Sequence, residues 1–138
     1  MPRLAGAAAR ELFASARVAR LGTVSADGVP HLVPCTFVVA GDSMYVAVDQ
    51  KPKSTTDLKR LRNIRANPAV CLLVDHYDED WTSLWWVRAD GLASVVTEAG
   101  EMAGPIELLV ERYPQYRDAP PTGPLIAIQV TFWSGWSA

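Results

Sequence analysis

Apolar runs separated by short turn signals divide the first third of the chain into strands. The run at residues 21–25 stops at Ala26-Asp27-Gly28, and Asp-Gly between two apolar runs is a strong hairpin signal because glycine adopts positive φ at little cost. The return strand is expected over residues 29–39. Gly41-Asp42 then turns the chain into residues 44–48, whose β-branched and aromatic side chains favour another strand. The pattern predicts three consecutive strands joined by tight turns.

Two prolines interrupt the predicted return strand. Pro30 and Pro34 each lack the N–H group that a strand donates to its neighbour. One edge of this strand must therefore face a bulge, solvent or a ligand instead of another strand, and the mouth of a barrel would satisfy that requirement.

Three further apolar runs follow in the second half of the chain. Residues 69–74 form a short, fully apolar run of the kind expected in a buried strand, and residues 125–132 predict the last strand. Between them, residues 81–96 predict a long strand in which the adjacent Trp85 and Trp86 must point to opposite faces. We expect one tryptophan in the core and the other against a pocket or a partner; packing of the pair in the core and a dimer interface is the alternative.

A helix is expected between the third strand and the buried strand. Its apolar residues Leu58, Leu61 and Ile64 are spaced three apart and would form one stripe against the barrel. Residues 54–57 offer N-cap candidates, and Asn67-Pro68 ends the helix.

Two more helices and a loop are expected outside the strands. The first helix ends near Arg17, and the second spans residues 98–111 with its break at Gly104-Pro105. The proline-rich residues 113–124 predict a loop of a length that is more often functional than idle. Residues 133–136 are expected to follow the last strand and to pack on the surface, over a cofactor or across a dimer seam.

Composition indicates one soluble domain spanning residues 1–138. The chain is 49% hydrophobic and 20% charged, which is typical of a chain that buries one core. No apolar run approaches the roughly 20 residues needed to span a bilayer. The N-terminus does not resemble a signal peptide because Glu11 interrupts a short apolar run, so a cytoplasmic location is expected. Cys35 and Cys71 lie in predicted strands and are interpreted as reduced core thiols.

A cluster of cations lies just after the third strand. Residues 51–65 hold six basic residues against the single acid Asp57, although the whole chain carries a formal charge of −2. The basic residues are Lys51, Lys53, Lys59, Arg60, Arg62 and Arg65. A helix N-terminus already carries partial positive charge and free N–H groups, which suits a phosphate. The cluster therefore predicts a phosphate site, with a solvated helix face as the alternative.

Several other functional classes lack their motifs. His31 and His76 stand apart from any His-x-His or Cys-x-x-Cys grouping, so no metal site is predicted. No Gly-x-Ser-x-Gly elbow supports hydrolysis, and no Gly-x-Gly-x-x-Gly supports a Rossmann nicotinamide site. The net charge gives no sign of nucleic-acid binding once the cations are assigned to a cofactor.

These features in this order resemble a known family, the split-barrel flavin and deazaflavin oxidoreductases related to pyridoxamine 5'-phosphate oxidase. The resemblance runs from Leu12 to about Phe132. The motifs that carry it are Gly22-Thr-Val, Asp27-Gly28-Val-Pro-His, Lys59-Arg60, Asn67-Pro68-Ala-Val and Leu72-Leu-Val-Asp75. It implies a mainly β (α+β) fold, a split β-barrel of about six antiparallel strands with peripheral helices.

Two further segments resemble the actinobacterial branch of the family that is thought to use the deazaflavin coenzyme F-420. They are Val48-Asp-Gln-Lys-Pro-Lys53 and residues 80–88. Six cations exceed what one phosphate needs, and the oligoglutamate tail of this coenzyme would use the surplus. Flavin mononucleotide (FMN) remains the alternative cofactor.

The resemblance implies a set of cofactor-binding residues in a homodimer with the cofactor at the subunit interface. Phosphate contacts are expected from Lys51, Lys53, Ser54, Lys59 and Arg60, with Asn63 one helical turn later. The ring system is expected along Val33, Pro34, Cys35 and Thr36. Trp86 and Arg88 are expected to reach the partner's cofactor.

The resemblance implies hydride transfer between the cofactor and a small conjugated substrate. The cofactor supplies the chemistry, so no side chain is assigned as catalytic acid or base. The alternatives are an FMN-dependent oxidoreductase and a non-catalytic carrier of the cofactor or of another anion such as haem.

Overall fold

The computed structural model describes residues 3–48 and 58–138. Eight strands form one antiparallel sheet in the order β3-β2-β6-β7-β8-β5-β4, and β1 pairs with β8. The strands are β1 (Arg3–Ala5), β2 (Ala19–Val24), β3 (Pro30–Cys35), β4 (Phe37–Ala40), β5 (Ser43–Ala47), β6 (Ala69–His76), β7 (Trp85–Val96) and β8 (Leu125–Ser137). The helices are α1 (Gly6–Ser15), α2 (Lys59–Ala66), α3 (Ala99–Arg112) and α4 (Gln115–Asp118), with a 3-10 turn at Trp81–Ser83. The expected mainly β fold with peripheral helices is confirmed.

One bent strand closes the sheet into a barrel. The strands β3 and β4 stand at opposite ends of the sheet order, yet only Thr36 separates them along the chain. The segment therefore pairs with β2 before Thr36 and with β5 after it. Counting this segment once gives six strands around the barrel, as expected, and Thr36 lies at the junction.

The first hairpin forms as the sequence predicts. Gly28 adopts a φ of 82° in its turn, and the N–H of Ser25 donates to the carbonyl of Val29 at 3.0 Å. The backbone groups of Val29 point towards β2, and this direction alternates from one residue of a strand to the next. The backbone nitrogens of residues 30, 32 and 34 therefore point away from β2. The prolines thus lie on the side of β3 that has no strand partner among the described residues, as their missing donors require.

The core fills the barrel between the sheet and α1. Phe13 of α1 is fully buried, and its ring meets Phe37 at 5.1 Å and Trp133 at 5.4 Å, both edge to face. Asp42, in the turn before β5, accepts from Arg10 at 3.2 Å and from the Trp133 indole at 3.3 Å. These contacts fix α1 against the barrel.

Helix α2 packs through its predicted apolar stripe, but its start differs from the prediction. Leu61 and Ile64 are buried, and Leu58 packs partly against the core. The N-cap residue is Leu58, which makes no side-chain capping bond. The polar cap candidates at residues 54–57 lie outside the described residues.

The structure corrects four boundary and burial predictions. The strand β6 alternates between exposed and buried positions, so Cys71 is exposed instead of belonging to the core. Trp81 lies in the 3-10 turn before β7 and is 75% exposed. The helix α3 continues through Pro105. The strand β8 extends to Ser137, so residues 133–136 belong to it, and Trp133 is buried.

None of the helices within residues 3–48 and 58–138 combines the length and the apolar character that crossing a membrane requires.

Candidate functional site

A cavity of about 530 Å³ lies beside the junction where β3 becomes β4. We call it the junction cavity. Pro34, Cys35 and Thr36 line one side of it, Arg60 of α2 lines another, and Gln115 and Tyr116 of α4 complete it. Its volume falls within the range of about 300–1,000 Å³ that is usual for small-molecule sites.

The junction cavity brings together four of the predicted cofactor residues, Pro34, Cys35, Thr36 and Arg60. Val33 does not line it, and its side chain packs partly against the core. Lys59 is exposed beside Arg60 and does not line it either. Lys51, Lys53 and Ser54 lie outside the described residues.

Asn63, which was expected to join Arg60 in contacting the phosphate, does not line the junction cavity. It is 4% exposed, and its side-chain amide donates to the Thr23 hydroxyl at 3.0 Å. Helical residues three apart are offset by about 60°, and here that offset turns Asn63 into the seam between α2 and β2. Its role in the structure is to satisfy a buried hydroxyl.

Cys35 forms a neutral wall of the cavity. Burial raises the pKa of its thiol to about 12, although the positive charges of Arg60 and Arg20 lower that pKa. A thiol with this pKa is protonated at neutral pH and is a poor nucleophile. The two arginines also mark positive potential beside the cavity.

Arg20 is a cation that the sequence analysis did not select. It lies on β2 directly opposite Pro34 of β3, and it is exposed. The hairpin turn at Gly28 fixes this register, so counting back along both strands from the turn would have identified Arg20.

A second cavity of about 490 Å³ adjoins the first, and we call it the tyrosine cavity. Val18, Thr36, Gln115 and Tyr116 line both cavities. Arg17, Tyr113 and Pro114 line only the second. The hydroxyls of Thr36 and Tyr116 lie 2.7 Å apart and share a hydrogen bond in the common wall. Residues 113–124 were expected to form a loop, but they contain the short helix α4, and none of them was predicted as a site residue.

Trp86 and Arg88 line a third cavity, of about 690 Å³, on the outer face of the sheet. The Arg88 guanidinium carbon lies 5.9 Å from the centre of the Trp86 ring, and Arg88 Nε donates to Asp90 at 3.3 Å. Trp85 packs partly against the core, so the two tryptophans face opposite sides as predicted. Within one chain, this cavity shares no lining residue with the junction cavity.

Across the two described stretches, no group of three or more histidine, cysteine or acidic side chains is placed to hold a metal ion.

The fold matches solved structures of bacterial proteins at low sequence identity. An FAD-binding protein from Mycobacterium smegmatis has a TM-score of 0.67 and 18% identity, covering 99% of this chain and 97% of that one. An FAD-binding protein from Mesorhizobium loti has a TM-score of 0.68 and 19% identity, covering 98% and 96%. The heme storage protein HutZ from Vibrio cholerae has a TM-score of 0.67 and 19% identity, covering 88% and 84%. These likenesses establish the fold.

No curated protein matches the sequence. The sequence model of the pyridoxamine 5'-phosphate oxidase family, however, matches residues 5–137. That span includes the whole barrel except the first two residues of β1 and contains every residue named here in the linings of the junction and tyrosine cavities. The chain therefore belongs to the pyridoxamine 5'-phosphate oxidase family of split-barrel proteins.

Proposed function

We propose that the protein is an oxidoreductase that binds coenzyme F-420 in the junction cavity and acts on a small conjugated substrate. The proposal rests on one observation, that Arg60 lines the same cavity as Pro34, Cys35 and Thr36. The resemblance to the family assigned both sets of residues to the cofactor, and they come from elements separated in sequence.

The residues of the junction cavity fit a flat ring with an anionic arm. Pro34 and Ala47 offer apolar surface, and the protonated Cys35 adds no charge. Arg60 is the charged lining residue among those described, and no aspartate or glutamate lines the cavity with it. When bound, the deazaflavin would supply the hydride chemistry, and the described residues would hold and orient it and exclude water.

The cations around the cavity support the longer anionic cofactor. Arg20, which lies on β2 opposite Pro34, adds a second positive charge near Cys35. A single phosphate is satisfied by a few donors, whereas a cofactor with an oligoglutamate tail uses positive charge along an open groove. Lys51, Lys53, Ser54 and Lys59 are proposed to complete that groove.

FMN is the second candidate cofactor. The family itself and the two FAD-binding structural neighbours favour a flavin, whose phosphate the same arginine would meet. A non-catalytic carrier is the third candidate function, because a heme storage protein has the same fold.

We also propose that the protein is a homodimer that associates through the outer face of the sheet. Strand register places Leu32, Gly22, Cys71, Asp90 and Phe132 in one row across five strands. Leu32 is 69% exposed and Phe132 is 58% exposed, so the row is apolar at both ends. A second copy laid on this face would cover the row and would bring Trp86 and Arg88 towards the partner's cofactor.

The cofactor proposal predicts that Arg60→Ala weakens cofactor binding, because a charge-assisted contact to the phosphate is lost. The expected loss is roughly 1–3 kcal/mol, or about fivefold to 150-fold in Kd. The measurement is a fluorescence titration with coenzyme F-420 and, separately, with FMN. Arg65→Ala is the matched control, since Arg65 is an exposed arginine on the same helix that does not line the cavity.

Tighter binding of coenzyme F-420 than of FMN, with a loss confined to Arg60→Ala, supports the proposal. The reverse preference assigns the protein to the FMN-dependent oxidoreductases. Equal affinity in both arginine variants would overturn the placement of the phosphate beside Arg60. Tight binding without turnover on conjugated substrates would identify a carrier.

A further inference from the structure

The rings of Tyr113 and Tyr116 form part of the lining of the tyrosine cavity. The rings of Tyr113 and Tyr116 meet edge to face at 5.6 Å and 69°, and Pro114 lies between them in the chain. The Arg17 guanidinium lies 5.9 Å from the centre of the Tyr113 ring. Flat aromatic surface therefore borders the cavity.

The hydroxyls of Tyr113 and Tyr116 differ in their hydrogen bonding. The Tyr113 hydroxyl accepts from the Phe37 N–H at 3.1 Å, and the carbonyls of Arg17 and Phe37 each lie 2.9 Å from it as acceptors. Its single proton and its acceptor capacity are therefore occupied by the backbone. Tyr116 instead shares one hydrogen bond with Thr36.

The Thr36–Tyr116 pair retains a proton for a ligand. Two hydroxyls carry two protons, and the bond between them uses one. Whichever hydroxyl donates within the pair, the other O–H can donate to an acceptor in the adjoining space. Because both residues line both cavities, that donor lies in their common wall.

The charges at the cavity select against cations. One N–H of Arg17 donates to the carbonyl of Arg112 at 2.8 Å, and the guanidinium has further donors. Among the described residues that line the cavity there is no aspartate or glutamate. An acceptor-bearing ligand is therefore favoured, and an ammonium group would lie near Arg17 without a counter-charge.

We propose that the tyrosine cavity is the substrate site and that it accepts a flat conjugated ring bearing carbonyl oxygens, the chemistry of a quinone. The Tyr116–Thr36 pair donates to one carbonyl oxygen, and Tyr113 and Pro114 flank the ring. This inference rests on the proposed function, since the junction cavity, which shares four lining residues with the tyrosine cavity, then holds the cofactor directly beside the substrate. Tyr116 is a substrate-binding residue in this arrangement.

Ligand-observed saturation-transfer NMR on cofactor-free protein tests the site without turnover. The probe is 2,3-dimethyl-1,4-naphthoquinone, whose blocked ring positions prevent arylation of Cys71. Its cationic counterpart is 1-naphthylmethylamine, which has the same fused ring and no carbonyl. We expect the quinone to bind and the amine to bind at least several-fold more weakly.

The double variant Thr36→Val/Tyr116→Phe removes both hydroxyls of the pair and should weaken quinone binding by roughly threefold to tenfold, the effect of losing one hydrogen bond to a neutral acceptor. Tyr45→Phe is the matched control, because Tyr45 lies on β5 and lines neither cavity. Arg17→Gln should reduce the ratio of the Kd of the amine to the Kd of the quinone. Far-UV circular dichroism checks that each variant is folded.

Unchanged quinone affinity in the folded double variant, or equal binding of the amine and the quinone to the wild-type protein, would overturn the inference. The cofactor titration of the wild-type protein separates this result from the proposed function. Intact cofactor binding with a quinone site that does not depend on the hydroxyl pair rejects only the substrate inference, whereas a pair-dependent quinone site without cofactor binding rejects the proposed function.

Discussion

At the scale of single residues, the two cysteines show how the alternation of side chains between the two faces of a strand determines burial. Cys35 faces a cavity and is half-buried, whereas Cys71 faces outward on β6. Both have apolar neighbours in sequence, so composition alone suggested the core for both. The strand pairing supplies the missing information, since Cys71 lies opposite Gly22 on one side and Asp90 on the other.

Cys35 should react slowly with iodoacetamide in the folded protein, and its rate should keep rising with pH. Burial raises its pKa to about 12, so the reactive thiolate is scarce at pH 8 and increases until the pH approaches that value. The measurement is the labelling rate of Cys71→Ser, which retains Cys35 alone, between pH 7 and pH 11 by mass spectrometry.

The same variant unfolded in urea provides the control. Its thiol should titrate near the ordinary value of about 8.5 and react on the order of a hundredfold faster at pH 8. A plateau in the folded protein near pH 9 would show that the thiol is not held in its neutral form.

Among the secondary-structure elements, α3 shows where packing overrides local signals. Gly104-Pro105 predicts a break, because proline removes one backbone hydrogen bond and clashes with the preceding turn. The helix nevertheless continues, and its buried residues Met102 and Leu109 lie two turns apart on either side of Pro105. Burial of both side chains against the barrel opposes the local cost, and that burial cannot be inferred from the residues near the proline.

The end of α3 is attached to the barrel junction by Tyr113, which predicts a stability effect. Tyr113→Phe leaves the buried N–H of Phe37 without its 3.1 Å acceptor and should lower the free energy of unfolding by about 1–3 kcal/mol. Urea unfolding followed by tryptophan fluorescence measures the change.

Tyr45→Phe again serves as the comparison, and we expect it to shift the unfolding midpoint by less than Tyr113→Phe does. Equal midpoints for wild type and Tyr113→Phe would contradict the assignment of this hydroxyl as the link between α3 and the junction.

For the molecule as a whole, the hairpins follow from the sequence, but the closure of the barrel does not. Gly28 and Gly41 each adopt positive φ in the expected turns. Nothing in residues 29–39 indicates that the strand changes partners at Thr36. That change depends on contacts between segments far apart in the chain, and it places Thr36 where the two cavities meet. The resemblance to the family implied Pro34 to Thr36 and Arg60 as neighbours of one ligand, whereas no pattern in the sequence indicated Arg20, Arg17 or Tyr116.

The proposed dimer predicts that Phe132→Glu separates the protomers. A carboxylate at this position would replace apolar contact surface in the proposed interface and would lie opposite Asp90, a like charge in the same row. Sedimentation velocity at micromolar concentration should show a dimer for the wild type and a monomer for the variant. Labelling of the exposed Cys71, in the same row, should become faster when the face is uncovered.

Leu108→Glu is the matched control for this prediction, since Leu108 is an exposed leucine on α3 that does not belong to the row. A dimer that persists in Phe132→Glu, or dissociates equally in Leu108→Glu, would place the interface elsewhere.

The prolines of β3 have a consequence for self-association. One side of β3 has no strand partner among the described residues. Three backbone nitrogens of residues 30–34 point to that side, and two of them, those of Pro30 and Pro34, carry no hydrogen. An additional strand docking there would find the Leu32 amide as its one donor along residues 30–34, so strand addition at this edge is disfavoured. Edge-to-edge growth into aggregates is thereby suppressed, while the faces of the sheet remain open to recognition of a partner.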